Sequence, residues 1–191
     1  MSRISVLYFS GYGHAAKVAE AVERGAGSVP GADVRVHRIS EAGELPDEAW
    51  AALGEADAIV YGSPTYMGGP AWQFKKVAEA SSRLWLSQSW KDKVAAGFTV
   101  SAATNGDKFS TIQYFWTFSQ QHGQIWVGAG LLPSNAKAHG PADINWSGGS
   151  SGVFAIAPAD ASPEEAPGAG DIAAAEALGE RVARLAARLR G

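Results

Sequence analysis

Cysteine is absent from the 191 residues. This excludes disulfides, a thiolate nucleophile, and thiolate-held zinc or iron–sulfur centres; no metal is expected. No apolar run approaches the ~20 residues of a membrane span, so no membrane partner is expected. No run of basic residues stands out, and the net charge is -3, so nucleic acid is not expected either. There is no internal repeat and no linker-like composition shift. The chain enters an apolar run at Ile4, which leaves no room for a signal peptide and makes the cytoplasm the expected compartment. What is present is ordinary globular material: 46% hydrophobic and 18% charged residues, enough for one domain over 1–191 with a sizeable core. Seven Trp in this length point to a flat binding site or a subunit contact.

Apolar runs and helical periodicities alternate. Ile4–Phe9 reads as a buried strand, His14–Gly25 as a helix, Ala32–Arg38 as a half-exposed strand, and Pro46–Leu53 as a short helix. Ala56–Gly62 is a third strand, followed by a loop over Ser63–Gly69 and a helix opening at Pro70. Lys93–Val100 is a fourth strand, Ser110–His122 a helix closed by Gly123, and Gln124–Val127 a fifth strand. Leu178, Val182, Leu185 and Leu189 give the last helix its apolar face. Leu132–Ala157 resists assignment apart from the apolar patch Val153–Ile156, and Pro158–Gly170 reads as a surface connector. A β-α-β-α succession with short connections predicts an α/β fold: a doubly wound, five-stranded parallel sheet in the order 2-1-3-4-5, with helices on both faces.

Parallel strands put their C-terminal loops on one side, so the loops after strands one, three and four form one rim. Ser10-Gly11-Tyr12-Gly13-His14 joins a buried strand to a helix start, which aims backbone N–H groups and a positive helix end at one small volume. That suits a phosphate. The loop lacks G-x-G-x-x-G and G-x-x-x-x-G-K-[ST], so neither a dinucleotide fingerprint nor a triphosphate loop is present. Hydrogen bonds to a charged phosphate are worth roughly 1.5–3 kcal/mol each, against about 0.3–1 kcal/mol for the dipole alone. Several amides can therefore anchor a monophosphate without Lys or Arg. The other two loops, Ser63–Gly69 and Ser101–Lys108, would clasp a flat ring, and a planar heterocycle carrying one phosphate is FMN.

Tyr8-Phe9-Ser10-Gly11-Tyr12-Gly13-His14, Gly62-Ser63-Pro64-Thr65 and Gln121-His122-Gly123 resemble the flavodoxin-like NAD(P)H:quinone oxidoreductases, the branch once named for Trp-repressor binding. The similarity covers most of the chain, including Trp85, Trp116 and the Gly/Ser-rich segment near residue 148. It implies a flavodoxin-like fold, non-covalent FMN, NADH or NADPH as electron donor, two-electron transfer to quinones, and a homo-oligomer, dimer or tetramer. By position, Ser10, Gly11, Tyr12, Gly13, His14 and Ala15 would hold the phosphate. Pro64, Thr65, Tyr66, Met67 and Gly68 would meet the ring, and Ala102, Ala103, Thr104, Asn105, Gly106 and Asp107 would complete the cradle. His122 would reach the ring edge as the catalytic candidate, and Tyr12 and Trp85 would border the nicotinamide or quinone. The chain departs from that pattern in three places: Tyr66-Met67 replaces an Arg-Phe pair, the third loop is not a Gly/Thr run, and the insertion after strand two is shortened to Ser40–Leu53.

The expected function is therefore an FMN oxidoreductase that moves two electrons from NAD(P)H to a quinone or similar flat acceptor. The alternatives are an FMN reductase supplying a partner enzyme, a flavodoxin-type carrier with a protein partner, and a protein that kept the fold and lost the flavin. A docking carrier is typically more acidic than -3, and the Trp content also favours an enzyme. Other readings are structural: Trp116 as packing, and Asp107–Lys108 as a solvated pair. Gly148-Gly149-Ser150-Ser151-Gly152 matches G-x-S-x-G, but no strand precedes it and no helix follows, as a nucleophile elbow requires.

Overall fold

Alternate side chains of β1 (Ser2–Tyr8) enter opposite layers, and that alternation organises the computed structural model, which describes residues 1–190. Ile4, Val6 and Tyr8 pack on one face, and Leu7 packs on the other. The neighbours follow the same period of two: Ala58 and Val60 of β3 (Ala58–Tyr66) join the first layer, Ile59 and Tyr61 the second. The first layer is closed by α1 (His14–Gly27) and α6 (Ala169–Arg190), through Val18, Val22, Leu178 and Val182. The second is closed by α2 (Asp47–Glu55), α3 (Trp72–Ala80) and α5 (Lys108–Gln121), through Leu53, Phe74, Val77, Ile112 and Phe115. A one-turn helix, α4 (Ser82–Leu86), follows α3. Both faces of the sheet are thus covered, which is why its inner strands read as almost unbroken apolar runs.

β1 pairs in parallel with β2 (Ala32–Arg38) and with β3, with Ile4 opposite Val34 and Ala58. β3 pairs with β5 (Val94–Ser101), Ala58 opposite Val94. With β6 (Ile125–Trp126) beside β5, the strand path β2-β1-β3-β5-β6 is the expected doubly wound order once the two-residue arm β4 (Gly69–Pro70), antiparallel to the end of β3, is set aside. That arm corrects the expectation of a helix from Pro70: the helix begins at Trp72.

The outer edge also differs from expectation. The fifth strand is split. β6 (Ile125–Trp126) pairs with the start of β5, and β7 (Val153–Ile156) with its end, Phe98 opposite Val153. Residues 127–152 leave the sheet between the halves, and the Trp126 indole N–H donates to the Ser151 carbonyl at 2.9 Å to tie them together. The apolar patch in the unassigned stretch is therefore sheet, and the connector after it begins on the rim.

Candidate functional site

A cavity of about 540 Å³ opens at the C-terminal edge of the sheet, within the size range of cofactor pockets. Loop one supplies Ser10, Gly11, Tyr12, His14 and Ala15; the end of β3 supplies Pro64 and Tyr66; the end of β5 supplies Val100, Ser101 and Ala102; the loop after β7 supplies Ala157, Pro158, Ala159 and Ala161. No Lys or Arg lines it.

Loop one is shaped by one buried hydroxyl. Ser10 Oγ accepts from the amides of Gly13 (3.1 Å) and Ala16 (3.2 Å). Lys17 N–H closes the first helical bond onto the Gly13 carbonyl. Gly13 takes φ 92°, and a Cβ there would lie 2.5 Å from Pro163 Cγ, so only glycine fits the turn. Of the first-turn donors a helix leaves unpaired, His14 and Ala15 retain no partner among the described residues, and both line the cavity. The nearby cations point elsewhere. Arg38 Nη2 donates to the Ser10 carbonyl at 3.1 Å and pairs with Glu41, while Lys17 Nζ donates to the Glu164 carbonyl at 3.0 Å. An anion seated here would meet main-chain amides rather than a cation.

Tyr12 and Tyr66 stand edge to face, 6.4 Å between centroids, over the same opening. Tyr12 is 77% exposed. Burial pushes the Tyr66 phenol up from its ordinary pKa, so it stays protonated and able to donate at neutral pH. A Cβ on Gly11 would come 2.7 Å from the Tyr66 hydroxyl, and the missing side chain lets that ring lean across loop one. With its orphan amides, glycine-lined turn, apolar wall and aromatic pair, the site fits a phosphorylated flat ring.

The expected site residues divide. Ser10, Gly11, Tyr12, His14, Ala15, Pro64, Tyr66 and Ala102 converge on the cavity. Gly13 shapes the loop from behind. Met67 (φ 49°) and Gly68 (φ 80°) form the tip of the β3–β4 arm, where Met67 is fully exposed; neither lines the cavity. Ala103, Thr104, Asn105, Gly106 and Asp107 do not line it. Thr65 does not line the cavity: its buried hydroxyl bonds those of Thr99 and Thr111, both at 2.8 Å, so it ties β3 to β5 and α5.

His122 and Trp85 also lie away from the cavity. α5 starts at the rim and its 14 residues span about 21 Å at 1.5 Å each, which carries His122 to the opposite end of the sheet. There the carbonyl of the next residue, Gly123, accepts from Asp92 N–H just before β5. His122 is buried, its Nε2 2.9 Å from Ser81 Oγ and its ring against Trp90 and Phe118. Ser81 leads into α4, so Trp85, 45% exposed, stands at that same far end. Neither reaches the cavity of its own chain. Trp116 is 48% exposed rather than packed, and Lys108 is buried rather than solvated.

Ser101 opens the expected third rim loop, whereas Val100 and the four residues of 157–161 were not among the expected ligand contacts. The signal for the latter was the apolar patch Val153–Ile156: a parallel edge strand there delivers its C-terminal loop to the rim. That loop is pinned to α1, with His14 Nδ1 3.1 Å from the Ala166 carbonyl.

A family model described as NADPH-dependent FMN reductase matches residues 5–137. The chain belongs to the NADPH-dependent FMN reductase family. This makes it an oxidoreductase with FMN and NAD(P)H as its cofactors. Relatives of this chain include flavodoxin FldP of Pseudomonas aeruginosa, 43% identical over 189 residues and 99% of each chain. An NAD(P)H dehydrogenase (quinone) of Geobacter sulfurreducens is 34% identical over 206 residues, covering 98% of this chain and 99% of that one. Among solved structures, a flavodoxin, WrbA-like protein from Agrobacterium tumefaciens superimposes with TM-score 0.79 at 41% identity, covering 98% and 99% of the two chains. The flavodoxin-like fold and the expected resemblance are both borne out. No helix among the described residues is long and apolar enough to cross a membrane.

Proposed function

We propose that this protein, as one FMN-binding domain over 1–191, passes two electrons from NADH or NADPH to a quinone or similar flat acceptor in the cytoplasm, as a homo-oligomer. The observation that carries this reading is the pair of unpartnered amides at His14 and Ala15, on the wall of a cation-free cavity of about 540 Å³. When bound there, FMN supplies the redox chemistry and the protein supplies position and polarity. Ser10 fixes the loop so that the amides of His14 and Ala15 meet the phosphate. Tyr12 and Tyr66 give the donor and acceptor an aromatic surface to stack on, and Tyr66 keeps its proton to offer as a hydrogen bond. Pro64, Ala102 and the small residues at 157–161 close the sides against water. The Geobacter relative, an NAD(P)H dehydrogenase (quinone), supports the quinone as acceptor. The exposed rings of Trp72, Phe109 and Trp116 support subunit contacts.

Parallel titration with FMN and riboflavin tests the phosphate seat. FMN is expected to bind at least a hundredfold more tightly, and equal affinities would overturn it. Steady-state oxidation of NADH and NADPH with and without a quinone tests the reaction. A second reading, an electron carrier, is supported by the Pseudomonas relative named a flavodoxin. It predicts slow turnover with NAD(P)H and quinone, but fast reduction by a protein reductase.

A further inference from the structure

Lys108 opens α5 and is 2% exposed. A helix N-terminus is the positive end of the dipole, where a cation is disfavoured, so its presence there calls for a reason. Its ammonium donates to Ser101 Oγ at 3.0 Å, the Ala103 carbonyl at 2.7 Å and the Thr104 carbonyl at 2.9 Å. The three acceptors are the turn between β5 and α5, and Ser101 lines the cavity. The turn is wound tightly enough that a Cβ on Gly106 (φ 55°) would fall 2.0 Å from Ser101 Oγ.

The charge is not cancelled by contact. Lys108 makes no ion pair among the described residues. Asp171 is the carboxylate that acts on it, from beyond contact distance; its own Oδ2 accepts the Ile156 amide at 2.8 Å. A desolvated ammonium held by neutral oxygens projects its field further than an exposed one, because the interior screens weakly. The cavity wall at Ser101 lies one hydrogen bond away.

Resting on the FMN reading above, we propose that Lys108 is a positioning residue with an electrostatic role. Gathered by Ser101, Ala103 and Thr104, its ammonium sets the third wall of the cavity. From behind that wall it also favours the electron-rich, reduced form of the bound cofactor over the oxidised form. Asp171 opposes that field.

The test uses the full chain with Lys108→Met and Asp171→Asn. It measures dissociation constants for oxidised FMN and riboflavin, the midpoint potential of bound FMN, and thermal unfolding without flavin. Lys108→Met should weaken oxidised FMN and riboflavin by a similar factor, about tenfold, because the phosphate seat is untouched. It should weaken reduced FMN a further tenfold, which lowers the two-electron midpoint potential by roughly 30 mV. Asp171→Asn, which keeps an acceptor for Ile156, should move the potential the opposite way. Loss of flavin-free stability with an unchanged potential in both variants would reduce Lys108 to a loop brace and overturn the proposal. A shift of the same sign in both would overturn it too. Should Lys108→Met fail to fold, the sign of the Asp171→Asn shift decides. If the unmodified protein binds no FMN, it is the FMN reading that fails.

Discussion

His122 is uncharged at neutral pH because it is buried against Trp90 and Phe118, and burial pushes its pKa from the ordinary 6.5 down to about 4. Between those values the unfolded chain binds a proton that the folded one refuses. Stability should therefore fall as pH drops from about 6.5 toward 4, by at most ~1.4 kcal/mol per pH unit from this group. Urea unfolding followed across pH 4–7 should show that slope, and His122→Gln should flatten it while leaving flavin affinity at pH 7 unchanged. Thr65 makes a similar case. Its hydroxyl joins Thr99 and Thr111 in the core, so Thr65→Val should cost about 1–3 kcal/mol in urea unfolding and change FMN affinity less than threefold. At this scale the sequence was readable where function rests on the backbone. Ser10, Gly11 and Gly13 announce a tight turn by residue type alone. It was silent where only the direction of a side chain matters: a Thr in a rim loop looks the same whether its hydroxyl faces ligand or core.

At the scale of elements, the α1–α6 contact depends on two missing side chains. A Cβ on Gly25 would lie 1.9 Å from the Glu176 carbonyl oxygen, and one on Gly179 would lie 2.1 Å from that of Val22. Both obstacles are backbone, so the helices would have to part. Alanine is better than glycine in a helix by about 1 kcal/mol, yet overpacking a close crossing costs roughly 1–3 kcal/mol. Gly179→Ala should therefore lower stability, whereas Gly54→Ala in α2, with nothing within 4 Å of its Cβ position, should raise it. Opposite shifts in urea midpoint check the pair. The alternation of strands and helices was legible because each inner strand is a short apolar run between turn signals. The split edge was not, because two and four residues are too few for a period, and their pairing depends on β5, which is distant in sequence. The rim loop at 157–161 was missed for that reason alone. Likewise, His122 entered the expected site through the family resemblance of Gln121-His122-Gly123, and the length of α5 delivers its last turn to the far edge of its own sheet.

At the scale of the whole molecule, flavin binding should register as stability. The four segments that line the cavity come from loop one, β3, β5 and the chain after β7, so a bound ligand bridges both ends of the chain. Anything that binds only the folded state stabilises it by RT ln(1 + [L]/Kd), about 2.7 kcal/mol at a hundredfold excess over Kd. For a domain of this length each kcal/mol raises the melting temperature by roughly 2–4 °C, so FMN at that excess should add about 5–11 °C. Riboflavin at the same concentration presents the ring without the phosphate. If the His14 and Ala15 amides provide most of the affinity, it should add less than about 2 °C, because a hundredfold weaker ligand then sits near its Kd and contributes only ~0.4 kcal/mol. Inorganic phosphate alone should compete weakly with FMN and not with riboflavin. Equal melting shifts for the two flavins would mean that the ring, held by Tyr12 and Tyr66, carries the binding. The turn after β1 would then be a bend in the chain rather than an anion seat.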